Sequence, residues 1–245
     1  MANLPPRSLE STELPAPTHW QITTDLNLFD SPACDRLATQ AAAGRRLQIL
    51  EQQDQAWLVR LAEDDYPGWI SANDRQHLQP ASLIYQPKQH DRATIEAVIP
   101  DAIAFAQAAA AQPNVYLWGG CLGPNYDCSG LVQTAFAAQG IWLPRDAWQQ
   151  EQFCESLPSW KAAELGDLIF FGRPDRCTHV AIYLGDRAYL HSSGREIGRN
   201  GIGIDWLDPT ADPVSDRYWQ QLRGAGRIMR SYQTGCDRFS EWLPS

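Results

Sequence analysis

The sequence predicts an α+β protein in two parts: a small, strongly curved β-barrel, followed by a domain in which helices precede an antiparallel sheet. Three observations carry this. From Trp20 to about Ile84 the chain holds short β-rich runs and no helical period. Residues 94–111 and 129–139 then place apolar side chains at helical spacing. Last come three strand candidates, 167–171, 179–184 and 188–191, an order typical of an α+β unit.

Each element has its own signal. Residues 1–17 are rich in Pro, Ser and Glu and read as an extended lead-in. Residues 18–85 form the expected barrel. Within it, 46–51 and 56–61 are β-rich runs around a polar turn at 52–55, and Tyr66-Pro67-Gly68-Trp69-Ile70 marks a turn into another strand. Residues 86–93 are polar with one Pro and serve as a linker. The second domain spans 94–245. Its first helix has Thr94 as N-cap and a stripe of Ile95, Val98, Ile99, Ala102, Ile103 and Ala106, with Pro100 expected to split it. Gly140 stops the next helix.

Composition sets the class. The chain has 245 residues, enough for one large or two modest domains, and is 44% hydrophobic and 20% charged. Its net charge of −9, from 20 basic and 29 acidic residues spread over both parts, lacks the concentrated cationic face that nucleic acid or an anionic membrane needs. Apolar stretches are broken by polar residues, so no bilayer span is expected. The N-terminus MANLPPRSLESTELPAP has no apolar signal core, which points to the cytoplasm. Cys34, Cys121, Cys128, Cys154, Cys177 and Cys236 form no CxxC pair and are expected to be free thiols.

The candidate chemistry centres on Asp127-Cys128-Ser129-Gly130-Leu131-Val132. A cysteine on the first turn of a helix feels the positive end of the macrodipole and unpaired N–H groups, both of which favour thiolate. The same N–H groups can receive an oxyanion. The bland alternative is a buried small residue. Of five histidines, His19, His77 and His90 sit in polar, loop-like settings and are expected to face solvent. His179 opens one strand and His191 closes the next, with the turn signal Gly185-Asp186 between them. A hairpin centred on Gly185 sets them opposite each other on one face. Thiol, histidine base and second histidine as orienter follow triad logic. A zinc site from Cys128, His179 and His191, with Cys177 nearby, is the rival, but it lacks the closely spaced cysteine pairs of structural zinc.

Tyr116-x-Trp118-Gly-Gly, the Cys128 segment, Gly166-Asp167-Leu168-Ile169-Phe170-Phe171 and His179-Val180-Ala181-Ile182-Tyr183 resemble, in order and spacing, the NlpC family of papain-like cysteine peptidases. The preceding region, through its strand pattern and Tyr66-Pro-Gly-Trp69, resembles the bacterial Src-homology-three-like domain often joined to them. The pairing resembles γ-D-glutamyl-L-diamino acid endopeptidases acting on cell-wall peptides. The resemblance implies a papain-like α+β fold with Cys128 as nucleophile, His179 as base and His191 as third polar residue. Tyr116 would lie beside the nucleophile near the oxyanion, and Asp127 would face the substrate's free α-amine. Ser129 would contact substrate, and Tyr66 would wall the cleft from the barrel. No metal or organic cofactor is implied, and the partner is a small murein stem peptide. Without an export signal, free turnover peptides are the expected substrate. An acyltransferase or esterase on the same Cys–His apparatus, or a wall-peptide-binding module, remains an alternative. The sequence carries no signal for oligomeric state.

Overall fold

A computed structural model of the chain describes residues 19–235. The lead-in expected at 1–17, together with Cys236, lies outside the described residues. Strands β1 (Trp20–Ile22), β2 (Leu26–Phe29), β3 (Leu37–Ala41), β4 (Arg46–Gln52), β5 (Ala56–Leu61), β6 (Pro67–Ser71) and β7 (Leu78–Pro80) form one antiparallel sheet, in the order β3-β2-β6-β5-β4-β1-β7. Alternate side chains, among them Leu28, Leu47, Val59, Leu61 and Ile70, turn inward to a core of their own.

The expected barrel is not closed: β3 and β7 are the two edges of this sheet. The physical reason lies at β3, whose outer polar groups are taken by the second domain. The Gln40 carbonyl accepts from the Cys121 thiol at 3.0 Å, and the Gln40 side chain accepts from the N–H groups of Cys121 and Leu122, both at 3.1 Å. This edge therefore serves as a domain seam.

The second domain opens with α1 (Arg92–Ala110), starting two residues before the expected Thr94 because Asp91 is the cap and accepts from the Thr94 N–H at 2.9 Å. Pro100 does not split it. The helix runs through, with the Pro100 ring on the exposed side while Ile95, Ile99, Ala102, Ile103 and Ala106 are buried. By length and composition alone α1 is apolar enough to cross a membrane, contrary to the expectation from sequence. Here, however, its apolar stripe lies in the core with Leu131, Val132 and Phe136 of the next helix.

The hairpin β8 (Cys121–Leu122) and β9 (Asn125–Tyr126) leads into α2 (Cys128–Ala137), then α3 (Ala147–Phe153) and β10 (Glu155–Ser156). A meander of β11 (Leu168–Arg173), β12 (Arg176–Gly185), β13 (Ala188–Ser193) and β14 (Gly201–Trp206) follows, then α4 (Pro213–Trp219) and β15 (Leu222–Arg227). The sheet order is β10-β15-β11-β12-β13-β14, antiparallel throughout. Both faces are covered. Leu168, Phe170, Val180, Ile182 and Leu190 meet α1 and α2, whereas Ile169, Phe171, Ala181, Tyr183 and Tyr189 meet α4. Two covered faces explain why these strands read as continuous apolar runs.

Candidate active site

Cys128 begins α2, and its placement is enforced locally. Asp127 caps the helix, accepting from the Gly130 N–H at 2.6 Å with one oxygen and from the Gly119 N–H at 2.9 Å with the other. Gly130 has no alternative, since a Cβ there would stand 2.1 Å from the Gly120 carbonyl oxygen. The sulfur is directed toward the backbone N–H groups of Val180 and Ser129. Burial pushes the thiol up to about 12, with the Asp127 charge acting the same way, while those two N–H groups pull it down. Desolvation thus works against the thiolate expected at the helix start.

His179 and His191 do come together, though not in the expected register. Gly185 pairs with Ala188 at the turn, and beyond a bulge between Tyr183 and Gly185, Ile182 pairs with Leu190 and Tyr183 with Tyr189, so the register of the strands is centred on Asp186 rather than Gly185. Asp186 and Arg187 both have positive φ, 48° and 67°, as a two-residue hairpin turn requires. A change of centre by one position displaces the register by two, so both rings keep the same face as diagonal neighbours. His179 Nε2 lies 2.7 Å from His191 Nδ1, and the rings meet edge-on with centroids 5.0 Å apart. Tyr218 stacks on His179 at 4.5 Å. Nδ1 is the His179 ring nitrogen that the bond to His191 leaves over, and the next residue, Val180, turns its N–H to the Cys128 sulfur. Burial, then the neighbouring His191, hold His179 well below the usual histidine value, and burial holds His191 low as well. The other three histidines are half-buried rather than solvent-facing and lie away from this cluster; His19 bonds Gln48 at 2.9 Å.

A third strand extends the row. His191 Nε2 lies 2.7 Å from Asp205 Oδ2, and Asp205 in turn is held by Arg199. Asp205 was left unassigned by sequence reasoning. Its signal was the alternation Gly-Ile-Gly-Ile-Asp-Trp, which turns Asp205 to the side that β13 offers His191.

Cys128 opens on a cleft of about 630 Å³ between the two domains, lined by Tyr66, Tyr116, Trp118, Asp127, Ser129, Asp146, Trp148, Arg176 and Cys177 among others. Tyr116 lines the same cleft as Cys128, and burial, with Cys128 acting in the same direction, holds its hydroxyl well above the usual tyrosine value. Tyr66 reaches across from the first domain, its hydroxyl 3.5 Å from Asp146 Oδ1. Asp127, expected to face an amine, has other partners. Arg145, 1% exposed, grips it at 2.7 and 3.0 Å and also donates to Ser129 Oγ at 3.1 Å and Thr39 Oγ1 at 2.8 Å. With a guanidinium already paired to it, Asp127 offers little to a substrate cation. Ser129 likewise spends its hydroxyl on Asp127, at 3.3 Å, while lining the cleft.

Asp146 is the group that sequence reasoning missed. It caps α3 and forms a capping box with Gln149, an Asp-x-x-Gln signal visible in the sequence. Burial raises its carboxyl above the usual range; Arg145, the Trp148 indole and Arg176 offset this only in part.

These groups suit nucleophilic attack on a carbonyl: a thiol beside the N–H of the residue after His179, the His179 imidazole, a second imidazole orienting it, and helix-start N–H groups for the oxyanion. The zinc alternative loses donors, since His191 spends both ring nitrogens on protein partners. Cys177 lines the cleft, its thiol donating to the His179 carbonyl at 3.3 Å, and burial pushes it up to about 12.

Comparison with known proteins agrees. The NlpC/P60 family profile matches residues 113–225, and that of the bacterial dipeptidyl-peptidase Sh3 domain matches 28–74. The bifunctional muramidase/DL-endopeptidase CwlT of Bacillus subtilis is 38% identical over 173 residues, 66% of this chain and 47% of that protein. The gamma-D-glutamyl-L-lysine dipeptidyl-peptidase of Bacillus cereus is 27% identical over 172 residues, 69% of this chain and 47% of that one. The chain thus spans about half the length of these relatives. A solved NlpC/P60 family protein from Bacillus cereus aligns with a TM-score of 0.47 at 24% identity, over 86% of this chain and 63% of that one. With both profiles in the order the strands and helices display, residues 113–225 form an NlpC/P60 family domain that follows a bacterial dipeptidyl-peptidase Sh3 domain at residues 28–74.

Proposed function

We propose that this protein hydrolyses the bond between γ-D-glutamate and a diamino acid, meso-diaminopimelate or similar, in free murein peptides that begin with an unblocked L-alanine. The single observation that carries the reading is Asp146. A desolvated, incompletely compensated carboxylate in the same cleft as the nucleophile, within reach of Tyr66 from the other domain, suits a substrate ammonium. The role expected of Asp127 thus passes to Asp146, while Asp127 with Arg145 fixes the helix start. A requirement for a free amine favours small turnover peptides over intact wall, and with them a role in cytoplasmic peptide recycling.

In this mechanism the Cys128 sulfur bonds to the γ-carbonyl carbon as its proton passes to His179 Nδ1, and the oxyanion meets the α2 N–H groups beside Tyr116. The imidazolium gives the proton to the leaving amine as the C–N bond breaks. Water, deprotonated by the same imidazole, then releases the acyl group. Incubation with L-Ala-γ-D-Glu-meso-diaminopimelate followed by mass spectrometry should show L-Ala-γ-D-Glu and the free diamino acid. Cleavage at the L-Ala–D-Glu bond, or transfer of the acyl group to an added amine or alcohol in place of hydrolysis, would overturn this reading.

A further inference from the structure

Two neutral imidazoles joined by one hydrogen bond can be oriented in two ways. Either His179 Nε2 donates to His191 Nδ1, or the reverse. The first leaves His179 Nδ1 with a lone pair and makes it a base. The second puts a proton there and makes it useless. Nothing within the pair chooses between them.

The choice is made one strand further on. Asp205 is fully buried, and its two oxygens are taken by a planar fork: Arg199 Nε donates to Oδ2 at 2.9 Å and Arg199 Nη2 to Oδ1. Burial would raise this carboxyl, but the bonds from His191 and Arg199 bring it below its ordinary value. A carboxylate held in this way only accepts. His191 Nε2, 2.7 Å from Asp205 Oδ2, must therefore be the donor. The neutral His191 then has only a lone pair at Nδ1, so His179 must donate to it.

The fold makes room for the device. Arg199 lies across Gly203, the partner of His191 in the β13–β14 ladder, where a Cβ would meet its Nη1 at 2.3 Å. Asp205 pairs with Tyr189 and so stands two residues along from Gly203, the same diagonal step that relates His179 to His191.

We infer that Asp205, backed by Arg199, is a positioning residue that sets the tautomers of both histidines, so that His179 presents an unprotonated Nδ1 to the Cys128 thiol. This rests on the proposed peptidase function for its effect on rate, but not for the tautomers themselves. As the sulfur bonds to the carbonyl carbon, its proton goes to His179 Nδ1. The Nε2–H of the resulting imidazolium still points at the His191 lone pair, so no bond in the row has to reverse.

Nitrogen NMR of ¹⁵N-histidine-labelled wild-type protein at pH 7 tests this directly. The expected result is Nε2–H with bare Nδ1 on both His179 and His191; Nδ1–H on either ring would overturn the inference. Asp205→Asn is nearly isosteric, yet its amide can donate to His191 and reverse the row. It should lower kcat on the tripeptide about 10³- to 10⁴-fold, with KM within about threefold. Asp205→Ala serves as comparison: a merely structural role predicts that Asn is far milder than Ala. An Asn variant keeping a tenth or more of wild-type kcat would overturn the positioning role. Should the wild type leave the tripeptide intact, the functional reading fails, while the spectra still decide the tautomers. They decide them equally if the Asn variant does not fold.

Discussion

Replacing Arg145 with Met leaves the Asp127 carboxylate without its cation at the point where the nucleophile's helix begins. The guanidinium makes bonds of 2.7 and 3.0 Å to Asp127, and the two side chains are only 1% and 10% exposed. Solvent therefore offers little screening, and the discount that applies to surface pairs does not apply here. Breaking such a pair from one side typically costs about 3–5 kcal/mol, because the remaining charge stays buried. Loss of the 2.8 Å bond to Thr39 removes about 1 kcal/mol more and loosens the domain seam. Against a total stability of roughly 5–15 kcal/mol this is a large fraction. With an m-value of roughly 3 kcal/mol/M, the urea midpoint should fall by at least about 1 M. The double variant Asp127→Asn/Arg145→Met should recover part of this, since it removes the orphaned charge. A single-variant loss below about 1 kcal/mol, or a double variant no more stable than the single, would refute the assignment of Arg145 as the counter-charge of the helix cap.

Two further outcomes follow from the same geometry. Asp146→Asn should cost about 1.5–3 kcal/mol of charge-assisted binding to the substrate amine, roughly a 10- to 150-fold fall in kcat/KM on the free tripeptide. Steady-state kinetics check this, and an unchanged value would remove Asp146 from substrate recognition. Alkylation of Cys128 by iodoacetamide, followed by peptide mapping, should accelerate close to tenfold per pH unit from pH 6 to 9. The sign follows from a thiol pushed up to about 12 beside a histidine held well below its usual value, so that only thiol ionisation changes over this range. A rate already level at pH 6 would show a preformed thiolate instead.

Much of this arrangement could be read from residues whose signal is local. β5 spans Ala56–Leu61 as expected, because a β-rich run ends at a polar turn on one side and is paired on both edges. Cys128 at a helix start was legible from the helical spacing over 129–139, and Asp127 and Gly130 enforce it within three residues. The parts that escaped depend on distant partners. Pro100 remains inside α1 because its ring faces solvent while the opposite stripe is gripped by the core, which no propensity at residue 100 reveals. The sheet stays open because Cys121 and Leu122, some 80 residues away, occupy the edge of β3. Asp127 was expected to face substrate from the family resemblance, and Arg145, 18 positions later, carries no mark of being its counter-ion. His179 and His191 share a face in spite of a misplaced turn, since an even displacement preserves parity along a strand. Asp205 and Asp146 acquire meaning only when β14 lies beside β13 and when Tyr66 approaches from the first domain.

The central claim, a cysteine peptidase gated by its substrate's amine, is tested most directly by comparing initial rates of hydrolysis of L-Ala-γ-D-Glu-meso-diaminopimelate and its N-acetyl derivative. A carboxylate-bound ammonium predicts that the free peptide is cleaved at least about tenfold faster at limiting substrate. Equal rates, or faster cleavage of the acetylated peptide, would contradict the account.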